Sequence, residues 1–387
     1  MKRIKVIVIL ILLLACTVTI CGCWNYKELD RMFVVMGAAV DKDYKTGNYI
    51  VTIETMTPKG GKDTRMITQI ISSEGETILD AIRNAIKKSG RKMYWGHAII
   101  WIIGKDVAQE GILPVIDMIN RSKEIRSDIL VAVSNNVPSS QFFSKTDQAH
   151  DSVSRHLFEM FNENKSAGKY REVPLWKTID DISDNAVALT LPIIEVDKNA
   201  PGFQVSTVRS GVFKGEKMIG EINETETRST LILRGELKNK FVLAFPSGKK
   251  NGLPASSLEV SSSTTKIIVD SNNGNPQINI YAILYGKIIE LQSSMDFFTD
   301  GNRFMLEKEY ANLLKDQMKI AIIKAQKELK VDIFGFGKEV RIQKPGLWKN
   351  IEGNWNENFE NLQCSINVTV KITGSSLEMK PIKVGGE

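Results

Sequence analysis

Chemistry in this chain would have to come from its cysteines, its histidines, its clustered carboxylates or its glycine-rich turns. The four cysteines stand at 16, 21, 23 and 364, so three of them crowd into the first two dozen residues and no thiolate framework spans the rest. The histidines, His97, His150 and His156, contain no pair at the four-residue spacing of a helical zinc site. His97 opens an apolar run from 98 to 103 and reads as a structural residue at the start of a buried strand. Asp180, Asp181 and Asp184 could gather a cation, but they lack the glycine and terminal glutamate of a calcium loop, which favours a solvated helix end. Gly60-Gly61-Lys62 lacks the upstream glycine of a phosphate loop. Gly335-Phe336-Gly337-Lys338 follows an expected helix, the wrong polarity for cradling phosphate. No Gly-x-Ser-x-Gly elbow occurs. Cys364 sits in an alternating strand and reads as a packed small hydrophobe. No catalytic residue, cofactor site or metal site is assigned, and the chain is expected not to be an enzyme.

What remains is Cys23. Lys2, Arg3 and Lys5 precede an uncharged run from Val6 to Gly22, the layout of a signal peptide over residues 1–22. Its length is near the lower limit of the ~17–25 residues a spanning helix needs, so length alone leaves an uncleaved anchor open. The tetrad Ile20-Cys21-Gly22-Cys23 resembles the lipobox of bacterial lipoproteins: an aliphatic residue, two small ones, and the cysteine whose sulfur takes a diacylglycerol. By that resemblance cleavage falls after Gly22 and Cys23 becomes the lipidated N-terminus. Two acyl chains, at ~0.8 kcal/mol per buried methylene, contribute on the order of 20 kcal/mol to membrane residence. Cys16 and Cys21 would leave with the signal, and Cys364, left as the single free thiol, could form no intrachain disulfide. A chain starting at Cys23 keeps 48 of the 51 Lys and Arg against 45 Asp and Glu, a net of +3, too weak to call for nucleic acid.

The elements that follow divide into a lipidated tether at 23–31 and three domains, at 32–136, 137–235 and 236–387. The first has β-rich runs at 32–40, 48–56 and 65–71. Ser73-Glu74-Gly75-Glu76 then has capping-box spacing before a helix that carries Ile78, Leu79, Ile82, Ala85 and Ile86 and stops at Gly90. In the second, helices are expected near 153–161 and 174–182, a strand at 187–196, a hairpin across 214–217, and a capping box, Asn223 to Glu226, opening another helix. The stretch from 235 to 263 reads as loop-rich, with one apolar island from Phe241 to Phe245. In the third, strands at 264–269 and 277–291 flank a turn, and a long helix at 304–331 repeats Tyr310, Leu314, Met318, Ile322, Ala325 and Leu329 at helical steps before a last strand at 362–372. The fold class is α+β: three mixed α/β domains, each a largely antiparallel sheet packed with helices, the last with its long helix laid across the sheet.

Cys23-Trp24-Asn25, Glu28 and the strand from Phe33 to Asp41 resemble the mature start of the Ger(x)C lipoproteins, the C subunits of nutrient germinant receptors in endospore-forming bacteria. The resemblance continues through 97–104, 121–126, Gly211 to Lys214 with Met218-Ile219-Gly220, and 332–337 with Pro345, Trp348 and Trp355, and so covers nearly the whole chain. Asn25 departs from the family's frequent Asp, a change an exposed tether tolerates. The resemblance implies a germination lipoprotein on the outer face of the spore inner membrane, built of three mixed α/β domains. It would work with integral membrane A and B subunits in assembling the receptor and responding to germinants. The family brings no catalytic residue to any position here. A solute-binding lipoprotein of a transporter is the rival class; it would need two similar lobes around a cleft, and the unlike domain patterns disfavour it.

Overall fold

The computed structural model describes residues 3–7, 32–59, 65–144, 152–163, 168, 170–197, 204–237, 241–245, 255–272, 274–292 and 299–375. Cys23 with its lipobox, the tether, Gly60-Gly61-Lys62 and His150 lie outside the described residues.

Strand β1 (Met32–Lys42) turns back into β2 (Tyr49–Lys59), and β3 (Arg65–Gly75) pairs antiparallel with β2. Gly47 makes the first turn possible: at φ 79° it takes a left-handed conformation that a side chain would strain, and its N–H donates to Asp43 O at 2.7 Å. Helix α1 (Ile78–Ser89) begins at Thr77, whose hydroxyl accepts from Asp80 N at 3.1 Å. The capping box expected at 73–76 is therefore absorbed into β3. Ser73, Glu74 and Gly75 are held by ladder bonds opposite Val51, Ile50 and Tyr49, and the Ser73 hydroxyl donates to Ala81 O instead.

Next come β4 (Lys92–Tyr94), β5 (Ile100–Ile103), α2 (Lys105–Glu110), α3 (Leu113–Arg121), β6 (Leu130–Asn135), α4 (Gln141–Ser144), α5 (Val153–Glu163), α6 (Leu175–Ile182), β7 (Thr190–Asp197), β8 (Gln204–Lys214) and β9 (Lys217–Asn223). They complete a nine-stranded sheet of order β3-β2-β1-β5-β6-β7-β8-β9, with β4 also on β1. Its flanks are antiparallel. The centre, from β1 to β7, is parallel, because helical crossovers connect β5 to β6 and β6 to β7. Strand β5 is buried on both faces: Trp101 and Ile103 enter one core, Ile100 and Ile102 the other, beside Phe142, Phe143, Leu157 and Phe161. This sheet runs through the division expected at 136/137, since β6 pairs with β7 through Val133 and Ile193.

Helix α7 (Glu224–Leu233) starts on the expected capping box: Glu226 N donates to Asn223 Oδ1 at 3.0 Å and Asn223 N to Glu226 Oε2 at 2.8 Å. Beyond it, β10 (Phe241–Phe245), β11 (Ser256–Asn272), β12 (Asn275–Leu291) and β13 (Gln363–Ser375) form a second sheet in that order. Both β10 and the first part of β11 lie where loop was expected. Between β12 and β13 lie α8 (Asp300–Lys324), which ends in a π turn (Ala325–Leu329), then α9 (Phe336–Gln343), α10 (Pro345–Ile351) and α11 (Trp355–Glu360). Helix α8 buries Tyr310, Leu314, Met318 and Ile322 in the core that holds Ile280 and Leu284 of β12 and Ile366 and Val370 of β13. That core also takes Val212 and Ile222 from the first sheet and Leu231, Ile232 and Leu233 from α7. The architecture is mixed α/β, with two large sheets and one long helix.

Candidate functional site: a buried ionic joint

Helix α6 buries Leu175, Thr178 and Asp181, three residues at one-turn spacing, so Asp181 turns inward. Just before it, the extended segment around Val173 is tied to β6 by Val131 N donating to Val173 O at 3.0 Å, which fixes Arg171 beside the helix. Arg171 Nη1 donates to Asp181 Oδ2 at 2.8 Å, and its Nε and Nη2 reach Glu236 at 2.7 and 3.0 Å in a bidentate pair. Arg234, at the end of α7, donates from Nη1 to the same Asp181 oxygen at 3.1 Å, from Nε to Ile333 O at 2.7 Å and from Nη2 to Ala188 O at 3.0 Å. Lys177 and Lys338 stand 3.2 and 3.5 Å from Asp181 Oδ1. Burial alone would raise the Asp181 carboxyl; Arg234 and Arg171 overcome it and hold the group well below the usual carboxylate range. At the rim, Arg341 of α9 grips Asp184 with both Nη atoms at 3.0 Å.

The solvated helix end expected for Asp180, Asp181 and Asp184 thus describes Asp180 alone. Asp181 is buried, and the cations around it are the chain's own arginines and lysines. Among the described residues, no group of three His, Cys, Asp or Glu side chains could hold a metal ion.

Beside this joint the Asp332 carboxylate accepts from Phe334 N, Gly335 N and Gly337 N at 2.9, 2.9 and 2.8 Å, and from Trp355 Nε1 at 3.2 Å. Here the expected polarity is corrected: Gly335, at φ 78°, is the N-cap of α9, so Gly335-Phe336-Gly337 opens a helix. The donors that could greet a phosphate are occupied by an internal carboxylate. Burial pushes the Asp332 carboxyl upward against those hydrogen bonds. Gly337 leaves no room for a side chain, since a Cβ would lie 2.7 Å from Ala186 O and 2.8 Å from Trp355 Nε1. An open polar hollow of about 680 Å³ adjoins the joint, lined in part by Asp181, Asp184, Asp332 and Trp355.

Two more internal carboxylates escaped sequence reasoning. Glu54 of β2 accepts from Ser152 Oγ, Val153 N and Ser154 N at 2.9, 2.7 and 2.8 Å, capping α5. Asp41 accepts from Ser139 N and Ser140 N, both at 2.8 Å. The signal for Glu54 was its place within the run Ile50 to Pro58, otherwise made of apolar and threonine residues.

His97 is not at the head of a buried strand. It occupies an exposed turn, edge-on to Tyr94 at 5.8 Å, and β5 starts three residues later because its partner rung in β1 begins at Gly37. His156 is half-buried on α5. Cys364 is half-buried on β13, and burial pushes its thiol up to about 12, which suits packing and not nucleophilic attack.

Two family models match successive parts of the chain: the spore germination protein N-terminal domain over residues 25–196, and the spore germination B3/GerAC-like C-terminal domain over residues 209–376. The chain belongs to the Ger(x)C family of spore germination proteins. Among its relatives, spore germination protein B3 of Bacillus subtilis (strain 168) is 24% identical over 91% of this chain and 94% of its own length. Spore germination protein KC of the same organism is 20% identical over 96% and 97%. Spore germination protein GerQC of Bacillus cereus is 22% identical over 95% and 98%. The crystal structure of the GerBC protein superposes with a TM-score of 0.58, covering 90% of this chain and 100% of that one at 18% identity, so the fold is shared. In this Ger(x)C chain the joint spans both matched segments. Arg171 and Asp181 come from the first, and Arg234, Glu236, Lys338 and Arg341 from the second.

Proposed function

We propose that this chain is the lipid-anchored C subunit of a spore nutrient germinant receptor, needed for receptor assembly and response to germinants, and that it catalyses no reaction itself. The observation that carries the proposal is the tetrad Ile20-Cys21-Gly22-Cys23, nine positions ahead of β1 in a chain of this family. Cleavage after Gly22 frees Cys23 for a diacylglycerol, residues 23–31 act as the tether, and the folded part begins at Met32. No described helix is long and apolar enough to cross a membrane. In this reading the bilayer is the outer face of the spore inner membrane, and the partners are integral A and B subunits. The joint at Asp181 supports a scaffold role, because its charges are matched to one another.

The test is palmitate labelling and co-purification from spores. Wild-type chain is expected to carry label and to bring two integral membrane proteins with it; Cys23→Ala is expected to lose the label and weaken the assembly. Label retained in that variant would defeat the anchoring, and a wild-type chain purified without membrane partners would defeat the receptor role.

A further inference from the structure

The first sheet has two unlike ends, and the tether enters at one of them. Met32 is paired with Lys92, the start of β4, and the rung through Val34 continues to Met56 and Thr68. The next two residues outward on β3 are Ile67 and Met66, level with the point where the chain arrives from Cys23. They are consecutive in a strand, so they point to opposite faces, yet they are 36% and 45% exposed. Ile70, further along the same edge strand, is 38% exposed as well, so β3 carries uncovered apolar side chains from this corner inward. The same end is basic. The loop from 122 to 129 leads into β6 here and touches β4 through Lys92 Nζ and Glu124 Oε1 at 2.7 Å. Lys92 and Arg126 pair with Glu124 and Asp128, while Lys87, Arg91 and Lys123 are exposed beyond those pairs. The opposite end, at the close of β1 and β3, is acidic, with Asp43, Glu74, Glu76, Asp106 and Glu110 near Lys42 and Lys45.

We infer that this corner, Met66 and Ile67 with the cations Lys87, Arg91 and Lys123, is the face that rests on the bilayer, and that it selects anionic headgroups. The inference rests on the anchoring of Cys23 proposed above. Eight residues separate Cys23 from Met32, and at ~3.3–3.6 Å per residue they hold that end within about 30 Å of the surface. Apolar side chains on an exposed edge with basic groups around them match an anionic interface; each cation adds on the order of fivefold to the docked population. The acidic end points away.

The experiment uses the full lipidated chain on phosphatidylcholine vesicles with and without phosphatidylglycerol. Cys364→Ser removes the free thiol, and Met66→Cys or, at the far end, Leu79→Cys carries an environment-sensitive dye. Nitroxide lipids are expected to quench the dye at 66 several-fold more than at 79 when phosphatidylglycerol is present. The difference is expected to shrink without it, or when Lys87 and Lys123 are both changed to Glu. Intact mass reports the lipid on Cys23 independently. A lipidated, vesicle-bound chain quenched equally at 66 and 79 overturns the face and leaves the anchor standing. A chain without lipid that floats free overturns the anchor and the face with it. A dye at 66 that is shielded from water but untouched by nitroxide lipids assigns the edge to a protein strand and overturns the membrane assignment.

Discussion

Asp181 is the side chain whose loss would leave most undone. Arg171 and Arg234 are almost wholly buried on it, so Asp181→Ala leaves two buried guanidinium groups with Glu236 as their one remaining carboxylate. Breaking a buried pair in this way costs about 3–5 kcal/mol, to be read from the urea midpoint. The pH dependence follows from the same contacts. The folded carboxyl is depressed, so its contribution is present above the unfolded value near ~3.9 and is lost as pH falls through the acid range. The thermal midpoint of the wild type is expected to drop on going from about pH 5 to pH 3, and Asp181→Asn to flatten that drop. None of this was legible in the sequence. Arg171 and Glu236 are 65 positions apart, and each residue by itself looks like ordinary surface charge. The one available clue was the register of Asp181 with Leu175 and Thr178 on the inward stripe of α6.

Where a segment carries its own instructions, its structure could be read directly. The capping box at Asn223, the three- and four-residue repeat of α8 and the all-apolar β5 all depend on neighbours in sequence, and all are present. Misreadings fell where two local signals competed and a distant strand decided. Ser73 could have capped a helix, but pairing with β2 drew it into β3 and left Thr77 to do so. The start of α9 was hidden in the same way, because its cap is a glycine and its first donors are satisfied by Asp332, which a sequence window shows only as the end of the previous helix. Gly337→Ala tests that cradle. The added methyl meets Ala186 O and the Trp355 indole, so α9 must lift from its seat at a cost of about 1–3 kcal/mol. A shift in tryptophan emission together with a lower urea midpoint is the expected result; an unchanged midpoint would mean that the cradle yields freely.

At the scale of the molecule, the two sheets share their interior. Leu231, Ile232 and Leu233 leave the first sheet's last connection and are buried in the core of the second. At ~1.5–3 kcal/mol each, uncovering them forfeits about 5–9 kcal/mol, comparable with the whole stability of many domains. A fragment ending at residue 236 is therefore expected to bind a hydrophobic dye and to lose the sharp unfolding transition of the full chain. A fragment that stays compact and dye-free would show that the sheets are independent. The last strand carries a different implication. Helix α8 lies over β13, yet β13 is made after it and joins β12 in parallel, only once α9, α10 and α11 have also been laid down. A chain halted near residue 330 holds a finished amphipathic helix with nothing beneath half of it and a β11–β12 ribbon with one edge open. Closing that edge is a long-range, late event on the folding path. Until β13 (Gln363–Ser375) pairs, the edge of β12 is open to proteases and to strands of other copies of the chain.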